Sequence, residues 1–143
     1  MRMRSAKSLL EIVDANVLPN LAERGFSIVS HEESESFDNA VVTLGSPQLR
    51  LRIIRERRQL FLDIGCVAEP DIWFDSAVVF DYLGLSDKGG FHGREEASLT
   101  KMCEFVMVMW RELVLAFSPN SFSKSKKRLE ALRDHRAADR YDF

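Results

Sequence analysis

The chain has 143 residues, is 45% hydrophobic and 29% charged, and carries a net charge of -2. That balance supports a hydrophobic core, excludes wholesale disorder, and predicts a single α+β domain over residues 1–143. It also argues against a chain built mainly to hold nucleic acid or an anionic membrane, because such chains carry a clear positive excess.

The basic segment Met1–Lys7 is followed by apolar positions that Glu11 and Asp14 interrupt, so no secretory leader is expected. Leu9, Leu10, Ile12, Val13, Val17, Leu18 and Leu21 recur near the helical period and predict a helix over 5–24. Pro19 should interrupt it, and Gly25 is a natural C-cap. Residues 26–34 predict a strand that runs into a polar connection, His31 to Ser36, and Asn39 to Leu44 predicts a second strand. Gln48 to Arg55 alternates clearly, with Leu49, Leu51 and Ile53 on one side and Gln48, Arg50 and Arg52 on the other. Leu60, Leu62 and Ile64 repeat the pattern after a tight connection near Glu56-Arg57, which predicts a half-buried antiparallel hairpin. Ile54 and Phe61 fall on its solvent side, where they can cover one another, meet a helix or meet a partner.

Glu69-Pro70-Asp71 marks a helix start, with Ile72, Trp73, Ser76, Val79, Phe80 and Leu83 as its buried stripe and Gly84 as its end. Residues 85–94 form a glycine-rich loop. The next helix is expected over 95–117, and Ser118-Pro119-Asn120 should separate it from a last helix reaching about residue 138. The fold expectation is therefore a four-stranded antiparallel sheet preceded by one helix and followed by three, with the sheet packed on the long helix. Lys101, Glu104, Arg111 and Glu112 interrupt the most apolar stretch, so no membrane partner is expected and the cytoplasm is the default location.

Chemical motifs are sparse. His31 stands beside Glu32, Glu33 and Glu35, but no metal-binding helix motif accompanies it, and it reads as an acidic turn with no metal. Asp71 and Asp75, four apart on the expected helix, read as a solvated pair. The loop residues Lys88, His92 and Arg94 could hold an anion or a ligand, yet the loop lacks the spacing of a phosphate-cradling motif. Cys66 and Cys103 have no adjacent histidine and should remain reduced, buried and slow to react. No nucleophile elbow occurs, no cofactor is implied and no catalytic residue is assigned, so the question of an enzyme is left open.

Charge is distributed in blocks. Residues 26–47 hold four acids and no Lys or Arg, residues 48–58 hold five arginines against Glu56, and residues 59–87 hold six acids and no base. The arginines can pair across the sheet with Glu33 or Glu35, or form a patch for an acidic protein or a nucleic acid. Arg50, Arg52 and Arg57 are the candidate protein-binding residues, with an acidic protein preferred to nucleic acid and self-association left open. The last helix carries seven bases over 119–143 and reads as a solvated face.

In size, in element order, and in the hairpin from Gln48 to Cys66 followed by the Trp73 segment, the chain resembles the small immunity proteins that bacteria encode with polymorphic toxins. The resemblance carries over no functional residue. It implies binding of a toxin, often through a charged surface, without catalysis.

Overall fold

The computed structural model of the protein describes residues 8–34, 39–85, 91 and 94–141. Helix α1 (Leu9–Asn16) begins at a capping box, in which the Ser8 hydroxyl accepts from the Glu11 amide and the Glu11 carboxylate accepts from the Ser8 amide. The chain breaks at Val17 and restarts as α2 (Leu18–Leu21), with Pro19 in the first turn, where its missing N–H costs nothing. A 3-10 turn then ends at Gly25, whose φ of 84° is the left-handed conformation expected of that cap.

Five strands follow: β1 (Ser27–Glu33), β2 (Ala40–Gly45), β3 (Arg50–Glu56), β4 (Gln59–Gly65) and β5 (Trp73–Asp75). They form one antiparallel sheet in the order of the sequence. Four helices come next: α3 (Ser76–Leu83), α4 (Glu95–Val108), α5 (Trp110–Phe117) and α6 (Phe122–Tyr141).

The expectation of four strands with one helix before and three after is thus corrected at three points. Trp73–Asp75 is an edge strand opposite Asp63–Gly65, and a helix starts only at Ser76. Three residues are too short to show a strand period, and Pro70 supplied a plausible helix start. The Asp75 carboxylate accepts from the Ala77 amide at 2.7 Å and so sets the true N-terminus. Asp71 and Asp75 consequently share no helix. Before the sheet, the break at Val17 makes two helices of one. After it, Met109 leaves the helical region (φ -97°, ψ 17°) and divides the long helix expected over 95–117 into α4 and α5. The longest helix is α6, and the sheet does not rest on one long helix. α1 lies against β2, while α3 and α4 lie against β4.

Alternation along the strands fixes which side faces the helices. Ala40, Val42, Leu44, Leu51, Ile53, Leu62, Ile64 and Phe74 are buried on that side, as expected for the β3–β4 hairpin, and Leu60 packs partly against them. Phe74 meets the rings of Phe117 and Phe122, so the end of α5 and the start of α6 close the core over β5. Helix α6 is pinned by Lys126 to Glu69 (3.0 Å), by Arg136 to Asp81 (2.9 Å) and by the Tyr82 hydroxyl near the Ser125 hydroxyl (3.2 Å).

Candidate functional site: the open face of the sheet

The opposite face is built as three rows running across the strands. Val41, Ile54 and Phe61 stand directly opposite one another in the first, with Glu32 at the β1 end. The second row is Ser30, Thr43, Arg52, Asp63 and Asp75. In the third, Arg50 lies between two glycines, Gly45 and Gly65, with Trp73 beyond Gly65. The sequence alternation of β3 puts Arg50, Arg52 and Ile54 here because Leu51, Ile53 and Arg55 take the core side.

The glycines are required by close approach. A Cβ on Gly65 would lie 3.0 Å from the Ile72 carbonyl oxygen and 3.1 Å from the Trp73 ring, so the indole lies over a bare backbone. A Cβ on Gly45 would meet a Val29 methyl at 3.0 Å. Val29 reaches this position because β1 shifts register between Ile28 and Ser30, which turns one extra residue toward the open face.

Three of the five block arginines have internal partners. Arg52 holds the Asp63 carboxylate through Nε (3.0 Å) and Nη2 (2.7 Å), and its guanidinium lies 4.6 Å from the centre of the Trp73 ring. Arg50 lies 5.4 Å from the same ring. Such cation–π pairs are worth about 0.5–1 kcal/mol at exposed sites. Arg55, on the core side, is 6% exposed and grips both carboxylate oxygens of Glu95, at 2.7 and 3.0 Å, tying the first residue of α4 to the sheet. Pairing across the sheet was therefore the right kind of expectation with the wrong carboxylates. β2 separates β1 from β3, so Glu33 stands opposite Ala40 and does not reach Arg50 or Arg52. Glu35 lies outside the described residues.

Arg57 is not part of the row with Arg50 and Arg52. It sits with Arg58 in the two-residue β3–β4 turn, where its amide donates to the Asn39 side-chain oxygen at 3.1 Å. Burial raises the Asp63 carboxyl above its ordinary value, Arg52 pulls the other way, and Asp75 across the ladder adds to the rise. Counting the side chains on this face and its turn, Arg50, Arg52, Arg57 and Arg58 are matched by Glu32, Glu56, Asp63 and Asp75. On this face the positive charge of residues 48–58 is thus offset in number by Glu56 of the same strand and by Glu32, Asp63 and Asp75 from other strands.

Among its exposed side chains the face includes apolar ones. Phe61 is 41% accessible, with Ile54 and Val41 half-buried beside it, and Val29 is 55% accessible against Gly45 in the third row. Neither Trp73 nor Val29 was expected here. Gly65 opposite an aromatic residue was the one sequence signal that could have placed the Trp73 ring.

Elsewhere, Lys88 and His92 of the candidate ligand loop lie outside the described residues, and Arg94 is exposed just before α4. His31 is exposed on β1. Among the described residues no group of three His, Cys, Asp or Glu side chains could hold a metal ion, and no helix is long and apolar enough to cross a membrane. Cys66 and Cys103 are free and buried, and burial pushes the Cys103 thiol up to about 11. No protein-family model matches the chain, and no curated protein or solved structure matches it either.

Proposed function

We propose that this chain is a non-enzymatic protein-interaction module, an immunity or regulatory partner working in the cytoplasm, and that it docks its target on the open face of the sheet. The observation that carries this reading is the apolar row Val41–Ile54–Phe61, half-buried at Val41 and Ile54 and exposed at Phe61, on a face where acids and bases are equal in number. Burying an apolar row against a partner is favourable at about 25 cal/mol per Å². Arg50, Arg52 and Trp73 form a rigid rim beside it, because the guanidiniums are held by the ring and by Asp63 before any partner arrives. A nucleic-acid partner is less well supported. A phosphate backbone needs a run of unmatched cations, and the acids interleaved on this face oppose it.

The test is affinity capture from the native host with the wild-type chain, an Ile54→Asp/Phe61→Asp variant and an Arg111→Asp variant on α5, followed by purification of the captured protein and titration of the pair. The reading predicts one protein that binds the wild type and the α5 variant alike, and at least about tenfold more weakly the sheet variant, as for a central interface anchor. Equal binding by the wild type and both variants, or a captured nucleic acid alone, would overturn it.

A further inference from the structure

The β3–β4 hairpin closes through Arg57 and Arg58, whose φ values are 50° and 68°. Two consecutive left-handed residues make the turn that Asn-Gly suits best. Arginine has a Cβ that crowds the neighbouring carbonyl in this conformation, so the turn is strained at both positions. Nothing within the described residues compensates for that choice. Both side chains are exposed, and neither guanidinium has an ion pair, a hydrogen bond or a ring partner among the described residues. Arg50, Arg52 and Arg55, in the same block, are all engaged.

The turn lies at the edge of the apolar row. Two pairs, Arg55–Leu60 and Glu56–Gln59, separate it from Ile54 opposite Phe61, a distance of about 10 Å at the rise of a strand, which a long arginine side chain largely spans. A segment lying on the row therefore brings its neighbouring side chains within reach of both guanidiniums. Carboxylates are the groups that a guanidinium fork holds best in proteins. A continuous polyanion fits less well, because Glu32, Glu56, Asp63 and Asp75 share the face and would repel it.

We propose that the Arg57–Arg58 turn is a carboxylate clamp, which fixes acidic side chains of a protein segment whose apolar residues cover Val41, Ile54 and Phe61. This rests on the reading of the open face as a docking surface and adds the chemistry of the partner.

The test uses the full chain, labelled with 15N, and three probes: a ten-residue peptide alternating Leu and Glu, the same peptide with Gln for Glu, and a ten-nucleotide single-stranded DNA. Wild type is compared with Arg57→Asn/Arg58→Gly, which relaxes the turn. The Leu-Glu peptide should shift the amides of residues 54–61 and of Val41, and the Leu-Gln peptide should bind several-fold more weakly. The turn variant should lose at least about fivefold in affinity for the Leu-Glu peptide while its Tm rises by about 3–6 °C, so the loss cannot be misfolding. If the variant binds the Leu-Glu peptide like the wild type, with shifts still on Ile54 and Phe61, the clamp is wrong and the docking face stands. Shifts absent from the whole face would remove both. DNA that binds the turn more tightly than the Leu-Glu peptide would overturn the assignment to carboxylates, and a variant no more stable than wild type would overturn the strain on which it rests.

Discussion

Ile53 and Ile54 are neighbours in β3 and meet opposite fates. Ile53 is buried on the helix side, with the strands' other inner residues, the rings of Phe74, Phe117 and Phe122 and the Arg55–Glu95 pair on the same side. Ile54 stands on the other face between Val41 and Phe61, half-buried, on the side of the sheet away from the buried core residues. The contrast teaches that the fold is completed by one face alone. The second face pairs Arg52 with Asp63 and has its backbone smoothed by glycines, yet it keeps apolar surface in water, which folding by itself does not require.

Substitutions on the two faces can break this contrast. Ile53→Ala should cost about 2–5 kcal/mol in urea unfolding, the usual range for a large-to-small change in a packed core. Ile54→Ala should cost less than about 1.5 kcal/mol, since much of its surface is already wet. Similar losses at the two positions would mean that the open face is packed in solution. Next in size, Glu95→Ala takes a carboxylate from a buried guanidinium. We expect a loss of about 2–4 kcal/mol, at the lower end for buried pairs because Glu95 is 31% exposed.

Gly65→Ala probes the close packing of the Trp73 ring on β4. The added methyl meets the backbone oxygen of Ile72 as well as the Trp73 ring, so β5 must shift. The expected cost is about 1–3 kcal/mol, with a change in tryptophan fluorescence. A silent substitution would show that the ring does not lie over Gly65.

The smallest effect concerns pH. The folded-state Asp63 carboxyl is raised above its ordinary 3.8, so the folded protein holds this proton more tightly than the unfolded chain. Its contribution to stability is present below the unfolded value and declines as pH rises from there through the folded value. The stability of wild type relative to Asp63→Asn should therefore fall between pH 3.5 and neutrality. A relative stability that rises over that range would mean that Arg52 outweighs burial.

Much of the fold is legible in the sequence because β3 and β4 alternate over several residues and β2 is rich in branched residues, and the inward set of Leu49, Leu51, Ile53, Leu62 and Ile64 follows directly. The errors fall where an element is short or a helix is nearly continuous. Trp73–Asp75 has too few residues to show a period, and the break at Met109 has no proline or glycine to mark it. The candidate site was half visible. Arg50, Arg52, Ile54 and Phe61 could be assigned to the solvent side by counting in twos. The partners of the arginines could not, because Asp63 and Glu95 are chosen by strand order and helix packing. Val29 reaches the face through a bulge that no residue announces, and the strained φ values of Arg57 and Arg58 belong to the turn's geometry, since Arg-Arg is no turn signature.

The most direct test of the docking face is site-specific photo-cross-linking in the native host, with a benzophenone side chain at Phe61 on the open face or at Val108, 77% exposed on the helical side. The account predicts a discrete cross-linked protein from position 61 and none from position 108. Cross-links from position 108 alone, or the same products from both positions, would contradict it.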